Sequence, residues 1–284
     1  MSGKILVIGA TGNVGAPLVS ELARRGEKVK AASRNKPAQL PPGAEWVRFD
    51  LGDQSTLEPA LEGVDRVYAL TPAGTLDPVG ALRPLIEIAA KRGIKIVLQT
   101  AMGVDADDSI PARQAEILLE KSGAPYVIVR PNWFADNLVN YWGQGVAAGV
   151  LRLPAGDAGS SLIDTRDIAA AAAGALTSDA HNGKAFVLTG PAPRTYAEAT
   201  QLLSQALGKT VTYTPVSGET FVAESVAHGV PVEYASFLAS IFVPVANGWT
   251  ATVTDSVEKL SGKPPRSLEA SINDLAPRLK SLAA

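Results

Sequence analysis

Lys4-Ile5-Leu6-Val7-Ile8 followed by Gly9-Ala10-Thr11-Gly12-Asn13-Val14-Gly15 is the stretch on which the fold turns. The first five residues form a continuous apolar run, the pattern of a strand buried on both faces of a parallel sheet. A helix is predicted from about Asn13 to Arg25, with Val14, Leu18 and Leu22 on one face and Gly26 as its stop. Between strand and helix each glycine has its own task. Gly9 permits the tight turn, Gly12 lets the backbone approach a pyrophosphate, and Gly15 lets the helix pack closely on the sheet. The helix N-terminus offers N–H groups and a partial positive charge to phosphates, and Thr11 and Asn13 add side-chain donors.

Outward from this turn, short apolar runs alternate with helical patterns. Strands are predicted at Val29–Ser33, Glu45–Phe49, Arg66–Leu70, Ile94–Gln99 and Tyr126–Arg130. Ser55 and Glu58 have the spacing of a capping box, and Asp77-Pro78 opens a helix that Pro84 is expected to kink or delay. Pro111–Lys121 is read as a helix, with Arg113 and Glu116 as a pair on its surface. Beyond Arg130 the pattern changes. Asn132–Ala148 reads as an aromatic-rich helix, Asp167 as the cap of the alanine-rich helix Ile168–Leu176, and Thr195 with Glu198 as a second capping box. Strands alternating with helices predict an α/β fold, a doubly wound parallel sheet of the Rossmann type. Residues 1–150 are expected to form the dinucleotide-binding core. Residues 151–284 return strands to it and build a smaller, mostly helical substrate lobe.

The end of the second strand addresses the adenosine ribose in such a fold. Here Ser33-Arg34-Asn35-Lys36 stands where an NAD site places a carboxylate, and Arg34 offers a planar fork of donors suited to a phosphate. NADP(H) is therefore expected over NAD(H); the other reading of Arg34 and Lys36 is a pair of solvated loop charges. Asp50, with Leu51 after it, ends strand three, either to accept from the adenine amino group or as a turn residue before Gly52.

Composition excludes several classes. Lysine plus arginine is 26 against 28 aspartate plus glutamate, so the surplus of positive charge that grips nucleic acid is missing. With no cysteine and only His181 and His228, thiolate chemistry is excluded and a metal site is not expected. The opening apolar run is too short for a signal peptide, and no stretch approaches the ~20 apolar residues of a membrane helix. A cytoplasmic protein acting on a small molecule is expected, with neither a nucleic-acid nor a membrane partner.

With the glycine turn, Ser33-Arg34, Asp50, Arg130-Pro131-Asn132-Trp133-Phe134-Ala135-Asp136-Asn137 and Ile163-Asp164-Thr165-Arg166-Asp167 in view, the chain resembles the NmrA-like atypical short-chain dehydrogenase/reductases. The quinone oxidoreductase-like and triphenylmethane reductase-like members are most similar in pattern. The resemblance implies that Leu70, Thr71 and Pro72 border the cofactor's ribose and nicotinamide. It implies that Gln99 to Met102 line the nicotinamide side, and that Pro131, Asn132, Trp133 and Phe134 form a floor where cofactor meets substrate, with Asn137 beyond. Met102, Asn132, Trp133, Phe134 and Asn137 are thus the candidate substrate residues. The aromatics, with Tyr141 and Trp142, suit a stacking surface or a core equally.

Two departures matter. Where several relatives carry a lysine or histidine ahead of Glu116–Gly123, this chain has Ala112, with Arg113 adjacent. The residues four positions after the six tyrosines are Pro72, Arg130, Gly145, Thr200, Ser217 and Leu238, so no Tyr-x-x-x-Lys pair exists to supply a proton. A quinone or dye accepting hydride has less need of such an acid than a simple ketone. An NADPH-dependent reductase of a conjugated, electron-poor molecule is the expectation. A non-catalytic NADP(H)-binding redox sensor is the alternative.

Overall fold

A computed structural model describes residues 3–72 and 74–282. Along the chain run β1 (Lys4–Ile8), α1 (Gly15–Arg24), β2 (Val29–Ser33), β3 (Ala44–Arg48), α2 (Leu57–Ala60), β4 (Val64–Ala69), α3 (Pro78–Arg92), β5 (Lys95–Gln99), α4 (Pro111–Glu120) and β6 (Tyr126–Pro131). There follow α5 (Asn137–Asn140), α6 (Gly143–Ala148), β7 (Val150–Leu153), α7 (Thr165–Thr177), β8 (Lys184–Leu188), α8 (Tyr196–Leu207) and β9 (Thr212–Pro215). The last helices are α9 (Gly218–Ala227), α10 (Val232–Ala246), α11 (Ser256–Ser261) and α12 (Leu268–Leu282). By contacts the chain divides into two units. The first holds residues 1–131, 165–188 and 255–264; the second holds 132–164, 189–254 and 265–284. Residues 132–150 thus pack in the second unit, and β8 returns to the first.

The first unit is the doubly wound sheet. Its seven strands lie in the order β3-β2-β1-β4-β5-β6-β8, every pair parallel. The order reverses between β1 and β4, so the crevice that binds ligands in such sheets opens beyond the carboxyl ends of those two strands. Leu6, Val67, Ile96 and Ile128 face α3 and α4 in one apolar layer. On the other face α7 packs against α1, β4 and β5. Its alanines explain themselves here. α11 crosses so closely that a Cβ on Gly174 would overlap the Leu260 carbonyl oxygen and sit 2.8 Å from its carbon. Small side chains let two backbones meet.

The second unit holds the short parallel pair β7–β9 among helices. Its core joins Leu138, Val146, Leu153, Tyr196, Leu203, Phe242 and Ile272. Among the described residues no helix is long and apolar enough to cross a membrane.

Several local expectations need correction. α1 starts at Gly15, because 11–14 form the turn itself. The Ser55–Glu58 capping box does not form. Asp53, two residues earlier, accepts from Ser55 N (3.1 Å) and Ser55 Oγ (2.5 Å), and Glu58 turns to pair with Arg92. α3 runs unbroken through Pro84, capped by Asp77 Oδ1 accepting from Gly80 N at 2.7 Å. Asp167 lies in the first turn of α7 rather than ahead of it. The Thr195–Glu198 box is complete, with Thr195 Oγ1 accepting from Glu198 N and Glu198 Oε2 accepting from Thr195 N.

Candidate functional site

β1 delivers the chain to Gly9 in the left-handed region, φ +70°, where an L side chain is strained. Gly12 N donates back to Gly9 O at 2.8 Å and Ala16 N donates to Gly12 O at 3.1 Å. This folds the turn so tightly that a Cβ on Gly15 would overlap the Gly9 carbonyl oxygen and lie 2.9 Å from Ala10 Cα. Among the described residues, the amides of Thr11, Asn13, Val14 and Gly15 have no hydrogen-bond partner, and Val14 caps α1 without a side-chain bond. Thr11, Gly12 and Asn13 are exposed. Such a row of free donors at a helix start is a cradle for a diphosphate. A Cβ on Gly9 would touch Leu70 Cδ2 at 3.4 Å, which sets the end of β4 beside the turn.

The neighbouring strand ends carry the other expected residues. Arg34 is exposed beyond β2 with no hydrogen bond or ion pair among the described residues. Ser33 is already engaged: its Oγ donates to Asn35 O at 2.7 Å and accepts from Trp46 Nε1 at 3.1 Å. It shapes the loop that presents Arg34. Asp50 Oδ1 accepts from Gly52 N at 3.0 Å, the turn reading, which uses one carboxylate oxygen. Leu51 and Thr71 are half-buried and Pro72 is exposed.

At the ends of β5 and β6 a charged network fixes the backbone. Glu116 is 0% exposed, not a surface residue. It accepts from Thr100 Oγ1 (2.6 Å), Arg113 Nη1 (2.9 Å), Arg130 Nε (3.0 Å) and Arg130 Nη2 (2.7 Å). Asp105 closes the other side of Arg130, and Arg113 also reaches Glu120 and Asp108. Burial works against the Glu116 charge. The hydrogen bonds from Arg130, Thr100 and Arg113 outweigh it and hold the carboxyl below its ordinary value. Beside the network, Thr100 N donates to Val129 O at 3.0 Å and Met102 N to Pro131 O at 2.9 Å. The network therefore ties the loop carrying Met102 to the end of β6.

The candidate substrate residues of the second unit divide. Asn132 is 2% exposed. Its Nδ2 donates to Ser161 O (3.1 Å), Ser161 Oγ (2.8 Å) and Thr250 O (2.8 Å), while Oδ1 accepts from Trp133 N (2.8 Å). Both polar side-chain atoms are spent on the fold, so Asn132 is corrected from a substrate contact to a structural tie. Asn132→Ala is expected to cost about 1–3 kcal/mol, the range for removing a buried hydrogen-bonding group, read as a lowered urea midpoint. Residues 132–134 are not helical, with Phe134 bridged to Ile163, and Ala135 and Asp136 turn into α5. Trp133 stacks on Phe242 (4.6 Å between centroids) and Trp142 (6.1 Å), so it is largely core. Phe134 is half-buried, and Asn137 Oδ1 is buried without a partner.

The sequence pattern of the NmrA-like family matches residues 1–270. The chain belongs to the NmrA-like family. Within it, an uncharacterized oxidoreductase of Bacillus subtilis, YesF, is 32% identical over 267 residues, covering 93% of this chain and 92% of that protein. The NAD(P)H azoreductase of Xenophilus azovorans is 32% identical over 271 residues, covering 93% and 94%. Among solved structures, the NADPH-dependent quinone oxidoreductase QOR2 of Escherichia coli, complexed with NADPH, superposes with a TM-score of 0.82. It is 26% identical, and the match covers 95% of this chain and 99% of that one.

Two residues of this NmrA-like chain are not visible as site residues in its sequence. Glu116 occupies the face of α4 that also carries the buried Ala115 and Leu119, and a charge on an apolar face is the signal that it is paired inside. Tyr68, next to last in β4, is 0% exposed, yet its Oη donates to Gln99 Oε1 at 2.5 Å. A buried phenol must find a partner, and the end of the next strand provides it.

Proposed function

We propose that this protein uses NADPH to reduce a flat, conjugated, electron-poor small molecule of the quinone or dye class. It is an oxidoreductase, and its cofactor is NADP(H). The observation that carries the cofactor assignment is the glycine turn. Its four unpartnered amides suit a diphosphate; a Cβ at Gly15 would overlap the Gly9 carbonyl oxygen, and one at Gly12 would crowd that oxygen at 3.2 Å. Gly9, Thr11, Gly12, Asn13 and Val14 surround the diphosphate. Arg34, presented by Ser33, meets the 2′-phosphate, Asp50 and Leu51 border the adenine, and Leu70, Thr71, Pro72 and Pro131 border the ribose and nicotinamide. Met102, Trp133, Phe134 and Asn137 are the residues left as candidates for the acceptor.

A reduced nicotinamide supplies the hydride; the chain supplies position and a water-poor surface. No tyrosine–lysine acid is present. That suits an acceptor whose reduced form is a stabilised anion that water can protonate.

Mixing the protein with NADPH and a panel of quinones and azo or triphenylmethane dyes tests the reading through the nicotinamide absorbance. Steady consumption is expected. Silence across the panel, with unequal affinity for oxidised and reduced cofactor, would make the protein a sensor instead. Arg34→Ala is expected to weaken NADPH binding about 10- to 100-fold, matching the roughly 1.5–3 kcal/mol of a charged hydrogen bond, and to leave NADH binding nearly unchanged. Equal losses for both, measured by calorimetry, would remove Arg34 from the 2′-phosphate.

A further inference from the structure

Three polar side chains at the carboxyl ends of β5 and β6 have very different freedom. Thr100 and Arg130 are bound to Glu116, and Arg130 also to Asp105. Gln99 is not consumed. Its Oε1 accepts from Tyr68 Oη, and its Nε2 has no hydrogen-bond partner among the described residues. The side chain is half-buried, and Nε2 is not among the fully buried unpartnered atoms, so it keeps some exposure. Tyr68 pairs in register with Val97, two residues before Gln99, so Tyr68 and Gln99 share one face of the sheet. The phenol, enclosed by β-sheet and helix, stays protonated because burial pushes its ionisation well above the ordinary value. In the arrangement observed its O–H donates to Gln99 Oε1, which leaves the amide NH2 of Gln99 free of protein partners among the described residues. Thr71, at the end of β4, is a further donor without a partner among the described residues, and the proposed ribose contact accounts for it.

We infer that Gln99 is a catalytic residue that donates a hydrogen bond from Nε2 to the acceptor oxygen on which negative charge develops, with Tyr68 as its positioning residue. This rests on the reductase reading above. Hydride arriving on a quinone brings two electrons and one hydrogen nucleus. The cofactor is left oxidised, the acceptor becomes a hydroquinone monoanion, and water supplies its second proton. An amide is too weak an acid to give up that proton. A fixed N–H aimed at the developing oxyanion stabilises it without reorganising, which is the task that the missing tyrosine would share.

The test compares wild type with Gln99→Met, which keeps the shape and loses the donors, and with Tyr68→Phe, which keeps the donors and loses their anchor. With 1,4-naphthoquinone, Gln99→Met is expected to lower kcat at least tenfold while the calorimetric affinity for NADPH stays within twofold; Tyr68→Phe falls in between. A second readout needs no turnover. 4-Nitrophenol bound to the NADP+-loaded protein should ionise more readily in wild type than in Gln99→Met, a tenfold shift in its ionisation equilibrium seen in its absorption band. Unchanged kcat and unchanged phenol ionisation in Gln99→Met would overturn the inference. So would a parallel loss of NADPH affinity, which would assign Gln99 to the cofactor, or failure of 4-nitrophenol to bind loaded wild type. Wild type that binds no NADPH would overturn the reductase reading and this inference together.

Discussion

Gly15→Ala is expected to abolish measurable NADPH binding and to destabilise the first unit by about 3 kcal/mol, the upper range for forcing atoms into a packed site. Two effects oppose each other at this position. Alanine is the better helix former by about 1 kcal/mol, and Gly15 opens α1. The added methyl would, however, overlap the Gly9 carbonyl oxygen and lie 2.7 Å from its carbon, both backbone atoms that cannot swing aside. The clash wins. Relief requires the turn to open, which scatters the amides of Thr11, Asn13, Val14 and Gly15. Gly26→Ala is the control: unlike Gly15 it sits at positive φ (+81°), but an added Cβ meets nothing within 4 Å. A modest fall in the urea midpoint with intact NADPH binding is expected there. If Gly15→Ala bound NADPH as wild type does in calorimetry, the turn would not be the diphosphate site.

Glu116→Gln carries the second large effect. The substitution keeps the shape and removes a buried charge that faces two guanidinium groups. Arg113 keeps Glu120 and Asp108, and Arg130 keeps Asp105, so the loss should sit near the lower end of the range for breaking a buried pair, about 3 kcal/mol. The pH dependence provides a second check. A carboxyl held below its ordinary value in the folded protein contributes stability that is complete above its unfolded ionisation, near pH 4.3 for glutamate. That contribution is lost as pH falls through the lower folded value. Wild type should therefore lose more stability than Glu116→Gln when the urea midpoint is followed from about pH 5 downward. Parallel pH profiles would show that Glu116 is not the charged partner. Since Thr100 and Arg130 both lean on this carboxylate, the loop through Met102 should loosen as well, raising the KM for the acceptor more than that for NADPH.

What the sequence made legible is what a few neighbouring residues decide between themselves. The glycine turn belongs in that class, because Gly9, Gly12 and Gly15 answer backbone demands arising within seven residues. So does the Thr195–Glu198 box, whose two bonds span three positions. Ser55 and Glu58 show the limit of such motifs. Asp53, two residues outside the pattern, captured the Ser55 amide, and Arg92, 34 residues away, drew off Glu58. Pro84 was tolerated because α3 is capped at both ends and buries Leu82, Leu85 and Ile86 across it.

Residues whose role depends on distant partners were not legible. Arg113 and Glu116 at i, i+3 read correctly as a pair, but Arg130 arrives from another strand and makes the pair internal. The stretch from Asn132 carries helix-compatible aromatics. It is extended at its start because the Asn132 amide is tied to Thr250, 118 residues on, and Phe134 is bridged to Ile163. Tyr68 and Gln99 are adjacent only once β4 and β5 are in register. Tertiary partners override local preference in each case.

Calorimetric titration of the wild-type protein with NADPH and, separately, with NADH addresses the central claim most directly. Saturable binding of NADPH at least tenfold tighter than that of NADH is the predicted result, with a guanidinium beside the turn reading the extra phosphate. No heat with either coenzyme, or a preference for NADH, would contradict it.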